Sequence, residues 1–318
     1  MKKRLGFVGV GNMGGRMARF MLSKGYAITA FDTSPACMER MVAAGAKGAS
    51  SPREVADEAE IIVACLPSFA ACLEVALGEN GIAGGKAARI YVESSTIGPT
   101  AVIELAEKLA EHGIAVLDAP ISGGTKGAED GTLTSIVSGA PGTVHEVRSV
   151  LSDLARNVFV VGDRPGLAQT CKLVNNALSL TAMMLTSEAI VAGVAAGLDA
   201  RTMIDVINVS TGRNSATLDK FPRMLAHTGD SGQRAQNGLP HNLKDMELYL
   251  ELCRSVGAPS FIGSTVTALW RVVANQYGGD MGSSSLSSVL KVFEEWAGVD
   301  VRSPGAKRPL KDRSTVDG

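Results

Sequence analysis

RLGFVGVGNMGGRMARFMLSKGYAITAFD, residues 4–32, is the stretch whose reading decides the fold. A short apolar run (residues 4–8) leads into Gly9, Gly11 and Gly14, and an amphipathic segment carrying Met17, Ala18, Met21 and Leu22 follows. A second β-rich run, residues 27–31, closes on Asp32. This is a strand, a G-x-G-x-x-G turn and a helix. The first glycine permits the tight turn, the second lets backbone approach a pyrophosphate, and the third lets helix pack on strand, while the helix N-terminus attracts the anion. Read alone, three glycines among 36 are also an ordinary turn; strand before, helix after and an acid about twenty residues on favour the dinucleotide reading. Gly9, Gly11, Asn12, Met13 and Gly14 are therefore candidate pyrophosphate contacts, and Asp32 a candidate acceptor for ribose hydroxyls. Its carboxylate repels a 2′-phosphate, and Thr33, Ser34 and Pro35 bring no compensating arginine, so NAD is expected over NADP.

The same rhythm continues outward. Apolar runs at residues 61–64, 90–93 and 115–118 alternate with helical patterns, which implies parallel β-α-β units with right-handed crossovers. Runs at 133–137 and 158–161, flanking a helix-like 143–154, extend the sheet. The expectation is α/β: a Rossmann-type doubly wound domain over residues 1–164. From 166 to about 196 the pattern is one long helix, about 45 Å at 1.5 Å per residue, long enough to join two domains. Helical segments at 200–208, 242–255, 260–277 and 286–297 then make an all-helical domain over 165–298, and the charged, proline-containing 299–318 reads as a disordered tail.

Composition narrows the partners. At 318 residues, two domains are favoured over one. Lysine and arginine number 31 against 32 acidic residues, so no overall field attracts nucleic acid or an anionic membrane. Five cysteines, without a C-x-x-C pair or a histidine cluster, argue against both a disulfide framework and a zinc site, and fit a reducing cytoplasm. Glycines and Asn12 interrupt the N-terminal apolar run too early for a signal peptide. Polar residues Asn175, Asn176, Ser179, Ser187 and Glu188 interrupt the long apolar helix, which therefore reads as a soluble one. Its apolar excess, with the Met- and Leu-rich helices after it, points to a homodimer or homotetramer.

Hydride transfer to a carbonyl needs an acid to protonate the nascent alkoxide. None of Tyr26, Tyr91, Tyr249 and Tyr277 has a lysine four residues on, and no histidine stands in a His-acid arrangement. The candidate left is Lys172 in GLAQTCKLVNNALS, four residues from Asn176 and on the same helix face. An amine desolvated in a cleft titrates nearer working pH; a solvated surface charge is the other reading of a lysine near a helix start. Ser122, Gly123 and Gly124, in DAPISGGTKGAEDGTL, offer backbone N–H groups to a carboxylate, or form a plain glycine turn between strands. Leu66, Pro67, Ser94, Ser95 and Thr96 follow strand ends, where ligands of open α/β sheets collect.

Together, GFVGVGNMGGRMA, ESSTIGPT, DAPISGGTKGAEDGTL, GLAQTCKLVNNALS and NLKDMELYLE closely resemble, in order and over residues 4–297, the β-hydroxyacid dehydrogenases, the group that includes 3-hydroxyisobutyrate dehydrogenase and tartronate semialdehyde reductase. The resemblance implies that Ser122, Gly123 and Gly124 hold the carboxylate of a small substrate, that Lys172 is the general acid/base, and that Asn176 assists substrate binding. It also implies that Thr96 and Lys244 contact cofactor, Asp245 forming with Lys244 a lysine-aspartate pair. The segment NVSTGRNSA resembles the family's pocket loop without its aromatic residue, and its Arg213 is a candidate for a second anionic group or a surface charge. Imine reductases and non-catalytic proteins on the same scaffold are the alternatives; Lys172 speaks against the first, and Lys172 with the intact glycine loop against the second.

Overall fold

The computed structural model describes residues 3–226, 238–277 and 287–302. The chain divides into two compact units, Met1–Val174 and Asn175–Gly318.

The first unit alternates β1 (Leu5–Val8), α1 (Gly14–Ser23), β2 (Ile28–Phe31), α2 (Pro35–Ala43), β3 (Lys47–Gly48), α3 (Pro52–Glu58), β4 (Ile61–Ala64), α4 (Phe69–Leu77), β5 (Ile90–Glu93), α5 (Pro99–Ala110) and β6 (Ala115–Asp118). It goes on through β7 (Ile121–Ser122), α6 (Gly124–Asp130), β8 (Thr134–Ser138), α7 (Pro141–Leu154) and β9 (Asn157–Gly162). The sheet order is β3-β2-β1-β4-β5-β6-β8-β7, with β9 on β8. The strands from β3 through β6 pair in parallel, while β8 runs antiparallel to β6 and β7. Residues alternate across the sheet into two cores. Leu5, Phe7, Ile61, Val63, Ile90 and Val92 pack on one side. Val8, Ile62, Ala64 and Tyr91 pack on the other. Burial on both faces explains why these strands read as unbroken apolar runs. This is the expected doubly wound parallel sheet.

Helix α8 (Leu167–Ala195) starts in the first unit and continues into the second. There it is followed by α9 (Ala200–Asn208), a π-helical turn at Ala216–Lys220, α10 (Phe221–Ala226), α11 (Leu239–Ser255), α12 (Phe261–Tyr277) and α13 (Ser287–Ala297). Met183, Ile190, Phe221, Met246, Trp270 and Leu290 form their core. Length and composition alone would let α8 cross a membrane, but its inward residues belong to this core.

Several expectations need correction. By contacts the two units divide within α8, because the first turn of α8 is hydrogen-bonded into the sheet edge. The two-residue strands β3 and β7 were too short to show as periodicity, and the π turn with α10 carries no capping signal. Residues 299–301 depart from the disorder expected of 299–318. Val301 is buried and its N–H donates to Glu294 Oε1 at 2.8 Å, so the chain through Arg302 packs on α13. Residues 303–318 lie outside the described residues.

Candidate active site

Three glycines at the C-terminal end of β1 have three different surroundings. Gly9 has φ +78°, and a Cβ there would strike the Cys65 carbonyl oxygen. A Cβ on Gly14 would strike the carbonyl oxygen of Gly9, so these two glycines exist for backbone-on-backbone packing. A Cβ on Gly11 meets nothing within 4 Å. Open space above backbone is what a bound diphosphate requires. No side chain caps α1 at Met13, whereas Ser34, Ser51 and Ser68 cap α2, α3 and α4. The Gly15 and Arg16 N–H groups turn back onto the Gly11 and Met13 carbonyls, both at 3.1 Å, and the positive end of the helix dipole still favours an anion there. Asn12 is exposed and pinned by Arg16, whose Nη1 donates to the Asn12 carbonyl oxygen at 2.7 Å. The Arg16 Nε donates to Glu129 of α6 at 2.7 Å, tying the glycine loop to the next segment of interest.

Asp32 sits half-buried at the end of β2. Its carboxylate accepts the N–H of Val10 and the N–H of Ser34, both at 2.8 Å. That fixes its oxygens beside the glycine loop and leaves lone pairs for sugar hydroxyls. Residues of this cradle fit a dinucleotide: open backbone at Gly11, a helix start without a side-chain cap at Met13, and an acceptor at the end of the adjacent strand.

Neighbouring strand ends are braced from beneath. The Leu66 N–H donates to Ser95 Oγ at 2.7 Å, and the Ser95 N–H to Glu93 Oε1 at 2.8 Å. Glu93 is fully buried, with the Tyr91 hydroxyl donating to its Oε2 at 3.3 Å. Burial raises its pKa to about 7, against the hydrogen bonds from Ser95, Cys72 and Tyr91 that lower it. Pro67 is exposed and Thr96 half-buried, both at this edge.

Ser122, Gly123 and Gly124 leave β7 in a turn with φ +124° at Gly123 and +63° at Gly124, values that only glycine adopts without strain. Ser122 is half-buried, both glycines are exposed, and a Cβ on Gly124 meets nothing within 4 Å. The turn thus presents bare backbone. Behind it, Gly131 lets the Phe20 ring of α1 close on the end of α6.

A buried carboxylate anchors the first turn of α8. Asp118, at the end of β6, accepts the N–H of Gly166 (2.9 Å), the N–H of Gln169 (3.0 Å), Gln169 Nε2 (2.9 Å) and the Ser138 hydroxyl (3.2 Å). Gln169 in turn accepts the N–H groups of Ile97 and Gly98 and donates to the Ser95 carbonyl. Lys172 lies one turn further along α8 and is only 8% exposed, which rejects the solvated-charge reading.

In the second unit, Asn176 Nδ2 donates to Asp245 Oδ2 at 2.7 Å, and Lys244 Nζ lies 3.2 Å from Asp245 Oδ1. Asn176, Asp245 and Lys244 are thereby one cluster. Burial and the Lys244 charge hold the neighbouring His241 below its ordinary pKa. Arg213 is exposed, and its guanidinium makes no hydrogen bond among the described residues. A lysine the sequence did not single out is better placed: Lys220 Nζ donates to Ser179 Oγ at 3.0 Å. Glu93, Asp118 and Gln169 were also missed. The two acids have one signal, an apolar run ending in an acid, IYVE and AVLD, repeating the pattern of AITAFD; Gln169 has none.

A glycine-loop cradle after β1, a bare-backbone turn after β7 and a buried lysine on α8 are the arrangement expected of a nucleotide-dependent dehydrogenase. Comparison with known proteins agrees. Residues 4–162 match the NAD binding domain of 6-phosphogluconate dehydrogenase, and residues 166–290 the domain described as NAD-binding of NADP-dependent 3-hydroxyisobutyrate dehydrogenase. The chain is 34% identical over 302 residues to 2-(hydroxymethyl)glutarate dehydrogenase of Eubacterium barkeri, covering 94% of this chain and 97% of that one. It is 31% identical over 300 residues to the NAD-dependent L-serine dehydrogenase of Pseudomonas aeruginosa, covering 93% and 99%. Among solved structures, 3-hydroxyisobutyrate dehydrogenase of Mycobacterium tuberculosis with L-serine superposes with a TM-score of 0.80 at 26% identity, over 92% of this chain and 99% of that one. An imine reductase of Streptomyces aurantiacus, at 24% identity and a TM-score of 0.60 over 91% and 99%, shares the fold alone. The protein belongs to the β-hydroxyacid dehydrogenase family and is an oxidoreductase with an NAD(P)-binding domain.

Proposed function

We propose that this protein is an NAD-dependent dehydrogenase of a small 3-hydroxy acid, resembling 3-hydroxyisobutyrate or a polar analogue such as glycerate, with tartronate semialdehyde as the matching oxidised form. The observation that carries the reading is the burial of Lys172, one helical turn before Asn176 on α8. Gly9, Gly11, Asn12, Met13 and Gly14 hold the pyrophosphate, Asp32 the ribose, and Leu66, Pro67, Thr96 and Lys244 the remainder of the cofactor. Asp32 favours NAD over NADP, since its carboxylate is fixed where a 2′-phosphate would add like charge; Arg40 is engaged with Cys37 Sγ at 3.1 Å. When bound, the nicotinamide supplies the hydride acceptor for oxidation and the donor for reduction.

The chain's own residues do the rest. Backbone N–H groups at Ser122, Gly123 and Gly124 hold the substrate carboxylate. Lys172, in its neutral form, takes the proton of the β-hydroxyl as the C–H electron pair departs; in reduction the ammonium returns that proton to the carbonyl oxygen. Asn176, held by Asp245, orients the hydroxyl. Catalysis of this kind contributes about 10²- to 10⁴-fold.

Two features support a homodimer or homotetramer. Leu178 and Leu185 of α8 are 70% and 62% exposed, and Phe159, Val160 and Val161 lie exposed on β9. A second copy of the chain covers such surface most economically.

The test is the initial rate of NADH formation with 3-hydroxyisobutyrate, 2-(hydroxymethyl)glutarate, serine, 3-hydroxypropionate and glycerate, using NAD and NADP, on wild type and Lys172→Ala. Turnover of one acid, lost by at least about 10²-fold in the variant while NAD binding persists, supports the reading. Turnover undiminished in Lys172→Ala overturns the role of Lys172.

A further inference from the structure

Lys172, Asn176 and Ser179 occupy one stripe of α8, at spacings of four and three residues. The first two belong to the site proposed above. Ser179 does not, and its surroundings are unusual. Its Oγ accepts a hydrogen bond from Lys220 Nζ at 3.0 Å and another from the Ser215 hydroxyl at 3.4 Å. With both bonds arriving, the Ser179 hydroxyl still has its own proton to donate, and Lys220 keeps two more N–H donors. No carboxylate pairs with Lys220 among the described residues; the adjacent Asp219 is engaged by Arg223. The cluster therefore offers donors and a positive charge without an acceptor to satisfy them.

The segment that carries Lys220 is built rather than loose. Asn214 Oδ1 accepts the N–H groups of Ala216 and Thr217, at 2.8 and 3.2 Å, and Asn214 Nδ2 donates to Thr186 of α8 at 3.2 Å. These bonds start the π-helical turn Ala216–Lys220, and Phe221 immediately after it is wholly buried. π-Helical turns are uncommon and recur at functional sites. Lys220 is thus held half-buried against α8, where burial lowers its pKa and makes an anionic partner more valuable.

We propose that Lys220, Ser179 and Ser215 form a subsite for a second carboxylate on the substrate, making this enzyme selective for 3-hydroxy acids that are dianions. The inference rests on the reading of Lys172 and Asn176 as the groups at the reacting carbon. Three residues of helix rise separate Asn176 from Ser179, about 4.5 Å, the reach of a spacer of a few methylenes. The subsite replaces the role anticipated for Arg213.

A matched pair of acids tests it. 3-Hydroxyisobutyrate and 2-(hydroxymethyl)glutarate share the reacting hydroxymethyl and the first carboxylate; the second extends the methyl by a further CH2 and a carboxylate. Wild type is expected to give the higher kcat/KM with the diacid. Lys220→Met is expected to reduce the diacid-to-monoacid ratio of kcat/KM about 10- to 100-fold, the loss of one charge-assisted hydrogen bond. Lys220→Arg, which keeps the charge, should keep most of the preference and guards against a folding defect. Calorimetric titration with glutarate provides a readout independent of turnover: binding should survive Lys172→Ala and fail in Lys220→Met. An unchanged ratio, or glutarate binding that is indifferent to Lys220→Met, overturns the subsite even if Lys172-dependent turnover is found. Absence of any turnover, with glutarate binding still dependent on Lys220, instead overturns the reaction assignment and leaves the anion site standing.

Discussion

Replacing Glu93 by glutamine should make the first unit more stable at neutral pH, and the gain should vanish in acid. Glu93 lies fully buried at the end of β5, with a pKa raised from 4.5 to about 7 by burial. Below pH 4.5 the carboxyl is protonated in both folded and unfolded chains, and the group costs nothing. Between 4.5 and 7 the unfolded chain releases its proton while the folded one keeps it. Stability therefore falls as pH rises, by about 1.4 kcal/mol per unit and about 3 kcal/mol in all, and is level above 7. Glutamine cannot ionise, so this loss is absent from the variant. It also keeps the geometry: its Oε1 can accept the Ser95 N–H, and its amide can donate to the Tyr91 oxygen, reversing the bond seen now.

Both tryptophans, Trp270 and Trp296, are in the second unit, so their fluorescence does not report on β5. Hydrogen exchange of the β4 and β5 amides at pH 5, 6, 7 and 8 does. The variant and wild type should coincide near pH 5 to within a fraction of the full difference, then diverge by about 3 kcal/mol by pH 8. Parallel curves, offset by a constant, would refute the reasoning, since they would place the Glu93 titration at the same pH in both states. The ladder Leu66 N–H to Ser95 Oγ to Glu93 adds a functional corollary: the ionisation sits directly beneath the proposed cofactor edge.

Three further outcomes follow from the site. Gly11→Ala should fold normally yet lose at least about tenfold in NAD affinity, because its Cβ enters open space, whereas Gly14→Ala should lower the melting temperature, because its Cβ meets the Gly9 carbonyl; fluorescence titration and calorimetry distinguish the two. Gln169→Leu leaves the Ile97 and Gly98 N–H groups and the Ser95 carbonyl unpaired, and should cost about 3 kcal/mol in urea unfolding while lowering kcat. Asp32→Asn removes the charge beside the ribose site, and steady-state kinetics should show the NADP-to-NAD ratio of kcat/KM rising at least about tenfold; an unchanged ratio counts against the Asp32 assignment.

The sequence made the nucleotide-binding unit readable because its strands are buried on both faces and therefore appear as bare apolar runs between helices, with glycines where backbone must touch backbone. What it hid was long-range. Gln169 meets Ile97 across 72 residues, and Asp118 meets Gln169 across 51, separations over which no local periodicity carries information. The acids Glu93 and Asp118 were visible in principle, since each ends an apolar strand as Asp32 does, and they face each other in register across β5 and β6. Lys220 had no such marker. A lysine beside Asp219 reads as a surface pair until the π turn directs it onto Ser179.

Helix α8 explains why the middle of the chain was the hardest to read. One side, with Met183, Ile190 and Val191, belongs to a core, which selects apolar residues. A second stripe bears Lys172, Asn176 and Ser179, each two residues before or after an apolar neighbour that must point elsewhere. Val174 and Leu178 follow Lys172 and Asn176 by two positions, about 200° around the helix, and are 44% and 70% exposed. The exposed apolar stripe thus lies opposite the polar one. Three demands on one helix erase the amphipathic contrast by which soluble helices are usually recognised, and produce a segment that passes for a membrane span by length and composition. Under the proposed assembly, the stripe that looks wrong for a monomer is the part a second copy covers, and the polar residues that look wrong for a core helix are the ones assigned to the proposed site.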